Sequence, residues 1–167
     1  ARAIAPLRRA AGLLPGDGDI ACELGRALRR SGHRGEALAA LERAQRLSPR
    51  NSLAWYEHGA TLMAQLEDQR GRILRTVIPR RTFSMEQDSK VRPVMEVSLD
   101  ETASPAAESL KARAAQDFRA LVDLEPAGER SAYGRGILHF FEKRYEDGLR
   151  ELDAALAENP YFFEARE

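Results

Sequence analysis

One cysteine, Cys22, stands in 167 residues, which excludes an internal disulfide framework and any multi-cysteine metal site. Histidine is scarce as well: His33, His58 and His139 are the three, and they fall far apart in the chain. No H-E-x-x-H, C-x-x-C, Walker loop or G-x-S-x-G occurs, so the sequence offers no catalytic residue, no metal ligand set and no cofactor-binding motif. The chain reads as something other than an enzyme. Net charge is absent too, with 26 Lys+Arg against 26 Asp+Glu. That balance argues against a nucleic-acid binder held by bulk charge. No uninterrupted apolar run reaches the roughly 18 residues of a membrane-spanning helix. No signal peptide is evident at the N-terminus; compartment stays open on these grounds, with the cytoplasm favoured.

What is present is a helix-forming composition. Apolar residues make up 43% and charged residues 31%, with aromatics at only 7%. Ala, Leu, Arg and Glu dominate, which points to helices with long solvated faces. Four prolines then set a frame. Pro15 and Pro49 are 34 apart in number, and so are Pro126 and Pro160. The middle two are 77 apart, one period plus an insertion of 43. Twelve places before each proline stand Ala3, Ala37, Ala114 and Gly148, all small. Eight before stand Leu7, Leu41, Phe118 and Leu152, all large. Five before stand Ala10, Ala44, Leu121 and Ala155. Spacings of four and three put these places on one helical face. Proline then ends the helix, because it lacks an N–H and biases the residue before it out of the helical region.

A second helix precedes each of these, marked by a recurring glycine. Gly25 precedes Pro49 by the same interval as Gly136 precedes Pro160, and Gly59 takes that place before Pro126 once the insertion is removed. A mid-helix glycine costs about 1 kcal/mol, so its recurrence predicts close helix packing. The units read Ala21-x2-Leu24-Gly25-x2-Leu28, Ala37-x3-Leu41, Pro49; then Trp55-x2-His58-Gly59-x2-Leu62, Ala114-x3-Phe118, Pro126; then Ala132-x2-Arg135-Gly136-x2-His139, Gly148-x3-Leu152, Pro160. This pattern resembles the tetratricopeptide repeat, a helix-turn-helix unit of about 34 residues. It departs from the family at His58, Arg135 and His139, where apolar residues are usual. The resemblance implies an all-α solenoid of antiparallel helix pairs in a right-handed superhelix. The expected division is a half repeat over 1–17, repeats over 18–51, 52–128 and 129–162, and the start of another over 163–167. Neither end shows a polar cap, so the chain reads as a slice of a longer array or as one whose ends partners cover. Trp55 is expected in the core.

The insertion is expected at about residues 67–104, between the two helices of the third unit. Ser104 followed by Pro105 reads as a helix N-cap with proline in the first helical place. Apolar residues alternate with polar ones over Val77, Phe83 and Met85, and again over Val91, Met95, Val97 and Leu99. Period two predicts a β-hairpin whose apolar face is a contact surface. The run Arg70, Arg72, Arg75, Arg80 and Arg81 is read as a solvated strand edge that resists edge pairing, in preference to an RNA contact. Gly16-Asp17-Gly18-Asp19 is read as a turn and cap, and Cys22 as a small residue near a helix surface.

In the family that the sequence resembles, the first helix of each unit lines a concave groove. That resemblance places Cys22, Arg26, Arg29 and Arg30, then Tyr56, Ala60 and Met63, then Tyr133, Ile137 and Phe140 along such a groove. One end would be basic and the other aromatic, which suits a peptide with an acidic segment. Arg26 stands where the carboxylate clamp of chaperone-binding members carries Asn, so that activity is not inferred. The expected function is a non-catalytic protein–protein interaction scaffold or adaptor, without cofactor. Two other classes are the recognition arm of a multidomain enzyme and a self-associating structural subunit.

Overall fold

Local chemistry sets the helix boundaries. In the computed structural model, which describes residues 3–77 and 104–159, the Asp17 carboxylate accepts the Asp19 and Ile20 amides at 2.9 and 3.0 Å and so starts a helix. Ser104 does the same for Ala107 at 3.1 Å, with Pro105 behind it. The elements are α1 (Ile4–Leu13), α2 (Gly18–Arg30), α3 (Arg34–Leu47), α4 (Ser52–Val77), α5 (Pro105–Leu124), α6 (Glu129–Phe141) and α7 (Tyr145–Glu158). The described residues contain no strand. Gly32 ends α2 with φ of 79°, and Lys143 takes the same left-handed place after α6 with φ of 63°.

Each helix packs on its successor, and the tightest associations are α2 with α3, α4 with α5 and α6 with α7. Helices of like rank also touch. Arg29 of α2 reaches Glu57 of α4, and the Tyr56 ring of α4 meets the Tyr133 ring of α6 edge-on at 6.1 Å. In the other rank, Gln45 of α3 bonds Asp117 of α5 at 3.0 Å. Two layers result, α2, α4 and α6 in one and α3, α5 and α7 in the other, as in an α-solenoid.

The recurring glycine explains how close the layers come. A Cβ built at Gly25 would overlap the Leu41 side chain, one at Gly59 would lie 3.0 Å from Phe118 Cζ, and one at Gly136 2.9 Å from Leu152 Cδ2. These partners are the large residues eight places before each proline. So each first helix supplies a flat spot, and the second helix of the same unit fills it. Leu41 and Phe118 are fully buried as a result. The small residues Ala37 and Gly148 bring their backbones alongside: their carbonyl oxygens lie 3.3 and 3.2 Å from the Cβ positions at Gly25 and Gly136.

Three expectations need correction. The residues after 67 open as helix and not as strand: α4 continues to Val77, so Val77 closes a helix and begins no strand, and Arg70, Arg72 and Arg75 lie on α4 and on no strand edge. Leu62, Leu66, Ile73 and Val77 recur at helical spacing, and that period carries the helix past the place where alternation by two begins. At 26 residues α4 is about 39 Å long. It is twice the length of α2. The remaining hairpin positions, Phe83, Met85, Val91, Met95, Val97 and Leu99, lie outside the described residues. Trp55 is half-buried at the flank of the core, its indole N–H donating to the Pro49 carbonyl at 2.9 Å. Cys22 is 1% exposed and so belongs to the core, not the helix surface.

The contact predicts opposite signs for two glycines. Gly136→Val should lower stability by about 1–3 kcal/mol through overpacking. Gly12, with open space around it in α1, should gain up to about 1 kcal/mol as Gly12→Ala. Denaturant unfolding of the two variants beside the parent chain checks both; two gains would mean that Gly136 is not pressed against its partner.

Candidate functional site

The layer α2, α4 and α6 holds the residues expected to line a groove, and they separate into buried and more exposed positions. Tyr56 and Tyr133 are 4% and 6% exposed. Tyr133 stands edge-on to Phe118 as well, with ring centres 5.7 Å apart, so it ties both layers together. Cys22, Ala60 and Ile137 are buried beside them. Arg26 and Arg29 converge on Glu57, which is 2% exposed: Arg29 Nε lies 2.6 Å from one carboxylate oxygen and Arg26 Nε 3.5 Å from the other. Arg26 also bonds Glu23 on its own helix at 3.2 Å. These two guanidiniums therefore already hold carboxylates of their own chain. Met63 and Phe140 are half-buried and Arg30 is exposed.

Sequence reasoning missed the acidic partners. His58 Nδ1 and Asp117 Oδ2 lie 2.6 Å apart, both residues 4% exposed. Gln45 donates to the second oxygen of Asp117, while Glu42 accepts from Arg113 at 2.6 Å and lies 3.8 Å from His58 Nε2. Helices α3, α4 and α5 are thus joined by one polar network. The signal was available in the repeat. His58 precedes Gly59, and Asp117 precedes Phe118. The same two places carry Leu24 and Ala40 in one unit, and Arg135 and Glu151 in another. Arg135 indeed donates to Glu151 at 2.8 Å. Two of the three departures from the apolar pattern, His58 and Arg135, are therefore matched by an acidic residue on the facing helix. A buried polar group needs such a partner, since leaving it unpaired costs about 1–3 kcal/mol.

A second junction forms where α4, α5 and α6 meet. Ser52 donates to Glu125 at 2.6 Å, and Arg130 at 3.0 and 3.1 Å. Burial alone would push the Glu125 carboxyl up, but these bonds and the Arg130 charge together hold it below the ordinary glutamate value. The Cys22 thiol is pushed up to about 12 by its burial, with Glu57, Glu23 and Asp19 adding to the effect. A thiol held protonated in this way is a packing residue, not a nucleophile. Among the described residues, no group of three or more His, Cys, Asp and Glu side chains could hold a metal ion, and no helix is long and apolar enough to cross a membrane.

No protein-family model and no curated sequence matches the chain. Solved structures do match. MamA from Desulfovibrio magneticus RS-1 (residues 41 to the end) is 17% identical and superposes with a TM-score of 0.58 over 98% of this chain and 68% of its own. A monomeric mutant of IFIT1, solved with Gppp-AAAA, is 17% identical with a TM-score of 0.53, over 95% of this chain and 37% of its own. YrrB, a TPR protein, is 16% identical with a TM-score of 0.35, over 96% of this chain and 95% of its own. At these identities the likeness is one of fold, and the fold is tetratricopeptide-like.

The polar pair can be tested as a unit. His58→Leu and Asp117→Ala each leave a buried group unpaired and should each cost about 1–3 kcal/mol. Together they recreate the Leu24/Ala40 pairing of the preceding unit. The double variant should then be more stable than the two single losses predict, by at least about 1 kcal/mol in a double-mutant cycle. Strict additivity would show that the two side chains do not depend on each other.

Proposed function

Given a tetratricopeptide-like solenoid, we propose that the chain is a non-catalytic protein–protein interaction scaffold that takes a peptide segment along the layer α2, α4 and α6. The observation that carries this reading is the continuity of that layer: Arg29 meets Glu57 across α2 and α4, and Tyr56 meets Tyr133 across α4 and α6. One peptide can then span all three helices. Tyr56 and Tyr133 form a rigid floor, and Met63 and Phe140 offer apolar area above it. Arg26 and Arg29 are engaged by Glu57, which leaves Arg30 as the member of the basic cluster that can meet an acidic residue of the peptide. The inserted residues 78–103, which leave the tip of α4 and return at Ser104, act as a second contact surface. MamA and IFIT1 lend the reading its solenoid scaffold, and the choice of ligand rests on the side chains of this chain.

Selection from a displayed peptide library against the chain tests the proposal. The expected outcome is convergence on one motif whose binding falls at least tenfold, about 1.4 kcal/mol, with Arg30→Glu and again with Met63→Gln. A Gly/Ser linker in place of residues 78–103 should leave that groove binding unchanged. Failure of any motif to converge, or motifs indifferent to both substitutions, would count against the groove.

A further inference from the structure

The second helices α3 and α5 end alike. Leu47 and Leu124 stand two places before Pro49 and Pro126, in one register of the repeat. Each is 40% exposed, at the edge where the chain turns into the next first helix. The prolines that follow are exposed too. One place earlier the two units differ. Arg46 precedes Leu47, and Asp123 precedes Leu124. Both side chains are exposed, and neither forms an ion pair among the described residues. The outer units carry Gly12 and Ala157 in that place, so the opposite charges belong to the two middle units. Glu125, beside Leu124, adds no free charge, because Ser52 and Arg130 already hold it.

A surface that meets its own copy about a two-fold axis has to be self-complementary, since every contact on one side of the axis is repeated on the other. This edge meets that condition. An axis passing between the ends of α3 and α5 sets Arg46 against Asp123 of the second copy, and Leu47 against its Leu124. The same two contacts recur with the copies exchanged. We propose that the chain pairs with a second copy of itself along this edge, the copies running antiparallel. The leucines then cover one another, and the charges fix both the partner and its direction. Leucines and charges at two helix ends make a contact smaller than the roughly 1,200 Å² of a stable interface, so the dimer is weak and depends on concentration. Arg30, Met63 and Phe140 stand toward the far ends of the first helices. The edge is therefore separate from the groove proposed above, and each stands or falls alone.

Sedimentation velocity of the full chain, over a concentration series up to about 1 mM, tests the pairing. A reversible monomer–dimer equilibrium is expected. Arg46→Asp alone, or Asp123→Arg alone, sets like charges together at both contacts and should weaken association at least tenfold. An equimolar mixture of these two variants should restore it, because each supplies the charge that the other lacks. Leu47→Ser should weaken association as well. All three positions are exposed, so unchanged melting would verify that the fold is intact. A strict monomer at the highest concentration overturns the proposal. So does self-association that the charge variants leave unchanged, which would put the interface elsewhere, and so does a mixture that stays as weak as its components.

Discussion

The distance between paired helices rests on one contact, a large side chain seated on a glycine of the facing helix. Gly25 takes Leu41, Gly59 takes Phe118 and Gly136 takes Leu152. Glycine is a poor helix former, and each unit bears that cost mid-helix in exchange for a backbone approach that any Cβ would block. Repeat proteins bury each face only against neighbours, so the contact within a unit also sets the stagger between units. The edge-on rings of Tyr56, Tyr133 and Phe118 meet at the junction of α4, α5 and α6 because those helices are held this close.

On that frame, polar residues are admitted in matched sets. The pair Leu24 and Ala40 becomes His58 and Asp117 in one unit, and Arg135 and Glu151 in another. Glu57 is buried because two arginines from the preceding first helix arrive with it. Buried ionic groups of this kind add little to stability over apolar packing. They do reject wrong neighbours: an apolar helix in the place of α2 would strand Glu57, just as one without a carboxylate in the place of α5 would strand His58.

Much of the fold could be read from the prolines, the glycines and the large residue between them, because each has a physical reason to recur at one spacing. Ser104 and Pro105 marked the start of α5 for the same reason. The end of α4 was not legible: Ile73 and Val77 satisfy a helical period, yet Val77 also opens an alternation by two, and local pattern alone cannot rank them. For the residues expected along a groove, membership of one helix layer was legible and exposure was not. A sequence shows that Tyr56 and Tyr133 share a layer, but the burial of Tyr133 depends on Phe118 reaching it from the other layer. Likewise Arg26 and Arg29 read as open to an acidic ligand, because nothing in the local sequence shows that Glu57 of the next first helix comes between them.

The claim on which all of this depends is that each glycine exists to receive its large partner. A double-mutant cycle of Gly25→Ala and Leu41→Ala, with unfolding free energy as the readout, tests it most directly. The account predicts that Leu41→Ala alone costs about 2–5 kcal/mol. It also predicts that Gly25→Ala is costly beside Leu41 and becomes neutral or stabilising once Leu41 is alanine, where helix propensity alone governs. A Gly25→Ala effect that is the same with either residue at position 41 would contradict it.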